Sequence, residues 1–249
     1  MFLRNHFTKL SFVILLSDSI ELVIFDCDGV LIDSEVISAQ VIVDMLSPQG
    51  VLINLDYVYT NFLGRQFSCV KQTVLEDFSI NLPDSFESDY RQELIVEFEK
   101  NLKTTNGIKG ILNDLGVESC VATSSSRMRT ERALDLVGLL NFFGDNIFTA
   151  SEVKYGKPAP DLFLLASNRM QIEPNNCLVI EDSIMGIRAA ISAGMNVWHY
   201  TGASHFQNKT NGTSDRFSQV RSFDAWGNFF EMVPDLQKSN LTLGDQNDN

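Results

Sequence analysis

Residues 21–35 read ELVIFDCDGVLIDSE. An apolar run, Leu22 to Phe25, stops at Asp26, Cys27, Asp28 and Gly29. Such a short apolar run, bounded by polar residues, reads as a buried strand. Two carboxylates one residue apart at the mouth of that strand repel each other, so the arrangement asks for a compensating cation.

Working outward, four further short apolar runs follow: ESCVATS (118–124), NIFTA (146–150), CLVIED (177–182) and MNVWHY (195–200). Helical patterns lie between them at 106–115, 127–137, 160–171 and 184–193. Strands alternating with helices predict βαβ units and a Rossmann-like parallel sheet, an α/β fold. Gly194 is placed as the glycine that closes the fourth of these helices. The rhythm breaks between the first two strands. There, 36–46, 69–78 and 88–102 carry helical periodicity with no buried strand among them. This predicts a helical insert at 35–104, entered and left near Asp33–Ser34 and Thr104–Gly107. The sheet domain is then 20–34 with 105–235, preceded by an extension at 1–19 and followed by a polar, disordered tail at 236–249.

Composition limits the function. The 249 residues carry a formal charge of −13 and are 44% hydrophobic, enough for a sizeable core but unsuited to nucleic acid or an anionic membrane. An anionic substrate would need a local cation. Four cysteines, Cys27, Cys69, Cys120 and Cys177, form no CxxC pair, which argues against a zinc site and for a reducing compartment. Arg4, Lys9 and the run Leu10 to Leu16 loosely resemble a secretory leader, but the run is short and no A-x-A site follows. A cytoplasmic, monomeric protein is expected. Export is the alternative, to which the N-x-S/T triplets at Asn208, Asn211 and Asn240 also point.

In open α/β sheets ligands bind beyond the carboxyl ends of the strands. This sequence puts Asp26 and Asp28 after the first strand and Thr123, Ser124, Ser125 and Ser126 after the second. Lys157 of KYGKPAPD comes near the third, and Glu181, Asp182 and Ser183 follow the fourth. Clustered carboxylates with only oxygen donors suit Mg²⁺. The lysine and the hydroxyls would hold the remaining oxygens of a phosphate. One aspartate could then attack phosphorus while the other handles the leaving-group proton, provided their surroundings separate their pKa values. The serine run is also expected to cap the helix at 127–137.

DCDGVLIDSE, VATSSS, GKPAPD and IEDSIMG, in this order, resemble the four motifs of the haloacid dehalogenase superfamily. The branch is that of β-phosphoglucomutase-like and sugar-phosphate phosphatases with a helical (C1-type) cap, and the match runs from about Glu21 to Tyr200. The resemblance implies an Mg²⁺-dependent phosphatase of small phosphate monoesters, sugar or sugar-acid phosphates, acting through an aspartyl-phosphate. It makes Asp26 the nucleophile and Asp28 the general acid/base, whose position also offers a backbone carbonyl to the metal. Lys157 becomes the neutralising cation, and Asp182 with Glu181 metal ligands. Ser124 or Thr123 would contact the phosphoryl group, with Ser125 beside them. In the cap it points to Gly64 and Arg65 of FLGRQF, and at the hinge to Glu35, as substrate contacts. Sugar mutases of this branch carry a cap histidine near the position of Ser38, so a phosphoglucomutase is the weaker alternative. A non-catalytic phosphate-binding regulatory protein is the alternative of another class. His6, His199 and His205 have no partner cluster in the sequence, and Trp198 and Trp226 read as core or subunit contact.

Overall fold

The computed structural model describes residues 19–62, 67–207 and 220–239. In chain order its strands are β1 (Leu22–Phe25), β2 (Glu118–Thr123), β3 (Ile147–Thr149), β4 (Cys177–Glu181), β5 (Asn196–Tyr200) and β6 (Arg221–Phe223). They form one sheet in the order β3-β2-β1-β4-β5-β6, with every neighbouring pair parallel. Four inserted helices, α1 (Glu35–Leu46), α2 (Leu55–Asn61), α3 (Phe67–Phe78) and α4 (Phe86–Asn101), follow β1, and α5 (Ile108–Asp114) leads into β2. Then come α6 (Arg127–Leu136), α7 (Leu140–Phe143), α8 (Asp161–Met170), α9 (Ile184–Ser192), α10 (Ser204–Gln207) and α11 (Phe229–Met232).

β1 is a continuous apolar run because both of its faces are covered. Leu22 and Ile24 pack with Leu162, Phe163 and Ala166 of α8 and with Ala189 and Ala190 of α9. Val23 and Phe25 face the other layer, with Ile108, Leu134, Trp226 and Phe229. Each of these large side chains contributes roughly 1.5–3 kcal/mol by leaving water. The tryptophans belong to this core: Trp226 is fully buried and Trp198 nearly so. Gly194 adopts φ +74° after α9, a left-handed conformation that costs glycine little.

The inserted helices have a core of their own. Ala39, Ile42 and Leu46 of α1 meet Val58, Phe62, Val70, Val74 and Phe86. The two chain segments joining insert to sheet are tied to each other. Asp33 N donates to Lys103 O (2.9 Å) and Thr105 N to Leu31 O (3.0 Å). Thr105 Oγ1 donates to Val30 O (2.5 Å) and accepts from Trp226 Nε1 (3.0 Å), so the core tryptophan anchors the return segment.

Two expectations change. The strand run at 118–124 ends at Thr123, leaving Ser124 outside the sheet and exposed. Residues 236–239 are not a loose tail. Leu236 is buried, its carbonyl accepts from Gly116 N (2.7 Å), Gln237 pairs with Leu115, and Lys238 N donates to Asp114 O (2.8 Å). A polar composition concealed one apolar anchor and a row of backbone bonds. Among the described residues no helix is long and apolar enough to cross a membrane. The leader-like segment at 1–18 and the three triplets' asparagines lie outside the described residues.

Candidate functional site

The strand order reverses direction of travel between β1 and β4, and ligand crevices form at such switch points. The backbone there is locked, with Asp26 N donating to Ile180 O (3.0 Å). Asp26 and Asp28 from the end of β1 therefore meet Glu181 and Asp182 from the end of β4.

Lys157 enters this cluster from the loop before α8. Its Nζ donates to Asp26 Oδ1 (2.6 Å), Glu181 Oε1 (2.6 Å) and Ala122 O (2.9 Å). All three of its protons are used, and its side chain is 4% exposed. Burial works against its charge, but Asp26 and Glu181 outweigh burial and hold the ammonium well above the usual lysine range. Glu181 is fully buried, and its other oxygen accepts from Ser183 N and Oγ, both at 2.9 Å. Ser183 also caps α9, accepting from Gly186 N (3.0 Å).

One oxygen each from Asp26, Glu181 and Asp182 lie within 4.8 Å of one another. A single lysine does not neutralise them. Burial pushes the Asp26 carboxyl up to about 7 against the pull of Lys157, with Glu181 and Asp28 adding to the rise. Burial, then Glu181 and Asp26, raise Asp182 well above the usual carboxylate range. The surplus negative charge and the purely oxygen donor set fit a hard divalent cation such as Mg²⁺. Two glycines make room for these carboxylates. A Cβ on Gly29, which sits at φ +75°, would fall 2.0 Å from Asp182 Oδ2, and one on Gly186 would fall 1.7 Å from Glu181 Oε1.

Asp28 has different company. Its Oδ1 accepts from Ser34 Oγ (2.5 Å) and Arg129 Nη2 (2.8 Å), and its Oδ2 from Ser125 Oγ (2.8 Å) and Arg129 Nη1 (2.7 Å). Burial alone would raise its carboxyl, but the Arg129 guanidinium and the two hydroxyls overcome burial and hold it at about 2. The two aspartates of one loop are thereby set far apart. Cys27, between them, is buried, and burial followed by the charges of Asp28 and Asp26 pushes its thiol well up, so no thiolate forms near neutrality.

The remaining sequence candidates divide. Thr123 is buried, its Oγ1 accepting from Ser125 N (3.1 Å). Ser124 is exposed at the end of β2. Glu35 opens α1, half-buried, and its charge adds to the rise of Asp182. Gly64 and Arg65 lie outside the described residues. The capping expectation fails. Ser126 holds the cap position of α6, but its side chain makes no capping hydrogen bond.

Sequence reasoning missed Arg129, and it left the histidines unassigned. Arg127 and Arg129 stand in the first turn of α6, where the helix dipole disfavours cations, and that is the one local sign of a special role. The histidine reading is corrected. The tip of β5 and the short α10 bring His199 and His205 back to the end of β4. His199 Nε2 lies 3.1 Å from Asp182 O, and His205 Nε2 3.5 Å from Asp182 Oδ2. His6 lies outside the described residues. Ser38 bonds the Tyr90 side chain of α4.

The model of the haloacid dehalogenase-like hydrolases matches residues 20–194. The chain is 28% identical over 187 residues to 6-phosphogluconate phosphatase of Escherichia coli, covering 75% of this chain and 85% of that one. It is 30% identical over 213 residues to a probable pseudouridine-5'-phosphatase of Drosophila melanogaster, covering 80% and 90%. Among solved structures, a conserved haloacid dehalogenase-like protein of Agrobacterium tumefaciens superposes with a TM-score of 0.77 at 31% identity, covering 87% of this chain and 99% of that one. A match over most of the chain, with the motif residues gathered at one switch point, leads to a single conclusion: the chain belongs to the haloacid dehalogenase-like hydrolases.

Proposed function

We propose that the protein is an Mg²⁺-dependent phosphatase of small sugar or sugar-acid phosphates that works through an aspartyl-phosphate on Asp26. Its class is that of a phosphoric monoester hydrolase, on the family match and the phosphatase relatives. The observation that carries the finer reading is Asp26 Oδ1 at 2.6 Å from Lys157 Nζ, beside the oxygens of Glu181 and Asp182, at the mouth of the sheet. The sugar-acid preference draws on the Escherichia coli relative.

Asp26, Asp182 and Glu181 would hold the cation, with Glu181 also engaged by Lys157. When bound, Mg²⁺ supplies charge stabilisation at a phosphoryl oxygen and relieves the repulsion among the carboxylates. The chain's own groups do the rest. Asp26 Oδ attacks phosphorus, and the phosphorus–ester oxygen bond breaks as that oxygen takes a proton from Asp28. Water then attacks the aspartyl-phosphate, giving its proton back to Asp28. Inorganic phosphate leaves and the Asp26 carboxylate is restored. Lys157 orients the nucleophile and faces the phosphate charge. The helices α1 to α4 act as the cap that excludes bulk water.

The test is turnover of p-nitrophenyl phosphate and of a panel of sugar and sugar-acid phosphates with Mg²⁺. No release of phosphate from any of them would overturn the reading. Asp26→Asn turning over at the wild-type rate would overturn the nucleophile. Glucose 6-phosphate as the main product from β-glucose 1-phosphate would move the protein to the mutases.

A further inference from the structure

Both carboxylate oxygens of Asp28 are saturated by donors as it stands. A carboxylate offers about four acceptor sites, and here all four are taken, two by hydroxyls and two by one guanidinium. The hydroxyl of Ser125 is itself within reach of Arg129 Nη1, so the ring of contacts is closed on that side. For Asp28 to act on a substrate, Arg129 must let go.

Arg129 is placed to do so. It projects from the first turn of α6, on the sheet side, and its guanidinium lies over the Phe98 ring of α4 at 5.1 Å, on the insert side. It therefore sits at the seam between sheet and insert. Its Nε is buried and has no hydrogen-bond partner among the described residues, which leaves a donor unused. The guanidinium fork is matched to a carboxylate, as the paired 2.7 and 2.8 Å bonds to Asp28 display, and a fork that grips one carboxylate in two places can grip another.

We propose that Arg129 is the residue that reads a carboxylate on the substrate, and that Asp28 occupies its fork until that carboxylate arrives. The exchange makes Arg129 a specificity and positioning residue. A phosphorylated sugar acid takes the guanidinium and leaves both Asp28 oxygens free to face the ester oxygen. A neutral sugar phosphate offers no second anion, its phosphoryl group being engaged at Asp26 and Lys157, and a buried guanidinium left without a partner is unfavourable. The inference rests on the phosphatase reading above and adds a substrate class to it.

The experiment compares 6-phosphogluconate with glucose 6-phosphate on the full chain with Mg²⁺, for wild type, Arg129→Met and Arg129→Lys. Wild type is expected to favour the sugar acid at least 10-fold in kcat/KM. Arg129→Met should raise KM for the sugar acid at least 10-fold. It should also raise kcat for glucose 6-phosphate several-fold, since Asp28 is no longer held. Arg129→Lys, which keeps the charge and loses the fork, should shift both values in the same directions but less far. A merely structural arginine would instead lower turnover of both substrates together. That parallel loss, a wild type without preference for the sugar acid, or an unchanged KM for it in Arg129→Met would each overturn the proposal. If Arg129→Met does not fold by circular dichroism, the lysine variant decides on the same criteria. Wild type inert toward both substrates and toward p-nitrophenyl phosphate would sink the phosphatase reading itself, an outcome distinct from an active enzyme whose preference ignores Arg129.

Discussion

Replacing Lys157 by Met removes the one ammonium that bridges Asp26 and Glu181 while keeping much of the side chain's volume. Both carboxylates stay buried, at 11% and 1% side-chain exposure, and lose contacts of 2.6 Å each. Breaking a buried pair by deleting one partner costs about 3–5 kcal/mol. The cost has a pH signature. Asp26 is already raised to about 7 by burial against the pull of the lysine, and without the lysine it rises further. A carboxyl that binds its proton more tightly folded than unfolded loses stability as pH climbs from its unfolded value near 4 through its folded value. Between pH 6 and pH 8 the folded variant holds a proton that the unfolded chain has released, so its stability falls with each pH unit. Two pH units on one proton amount to about 2.7 kcal/mol at most. For a chain of this length about 3–5 kcal/mol lowers Tm by roughly 6–20 °C. Thermal melts by circular dichroism in EDTA at pH 6 and pH 8 check this, with the larger deficit expected at pH 8. A Tm within 2 °C of wild type at pH 8, or a deficit equal at both pH values, would refute the picture of two carboxylates relying on this lysine.

Three further outcomes follow from the same geometry. Gly29→Ala places a methyl 2.0 Å from Asp182 Oδ2 at a backbone φ of +75°, so Mg²⁺ binding by calorimetry should weaken at least 10-fold, and wild-type affinity would contradict the site's geometry. Mg²⁺ binding should strengthen as pH rises through about 7 and should release protons, because Asp26 and Asp182 hold protons that the metal displaces; calorimetry in buffers of different ionisation enthalpy reads this, and a pH-independent affinity would count against these carboxylates as ligands. Asp28, held at about 2 mainly by Arg129 against burial, lends roughly 2 kcal/mol that is fully present above pH 4 and lost as pH falls toward 2. The urea stability gap between wild type and Asp28→Asn should therefore narrow over that window, and a constant gap would argue against the ion pair.

The parallel sheet was legible because four residues of β1 and five of β4 are buried on both faces, which forces continuous apolar runs. The insert was legible because α1, α3 and α4 are long enough to carry a period. Smaller elements were not. β6 has three residues, of which only Phe223 is buried, so nothing in Arg221–Phe223 reads as a run. In α2, seven residues with two tyrosines, a valine and a threonine are poor helix formers, and Asn54 caps them, its side chain accepting from Tyr57 N (2.9 Å). At the site, Asp26, Lys157, Glu181 and Asp182 announced themselves by motif. Arg129 and His205 did not, because each acquires its meaning from a residue distant in sequence: Arg129 from Asp28, 101 positions away, and His205 from Asp182.

The sequence argument required that the two aspartates differ in proton affinity, and the structure separates them widely. The order is the reverse of what the chemistry needs. Asp26, the proposed nucleophile, sits at about 7, and Asp28, the proposed proton carrier, sits at about 2. The causes are distinct and local. Asp26 is raised by burial among other carboxylates, and Asp28 is lowered by a guanidinium. A divalent cation on the Asp26, Glu181 and Asp182 oxygens would favour the ionised form of Asp26. Departure of Arg129 from Asp28 would leave burial as the main influence and favour its protonated form. Each correction requires a ligand, the metal for one and a competing anion for the other. Without those ligands neither carboxyl favours its proposed role, and the Asp28 oxygens are already occupied by Ser34, Ser125 and Arg129. In the proposed mechanism proton transfer would be available only while the group that displaces Arg129 is in place.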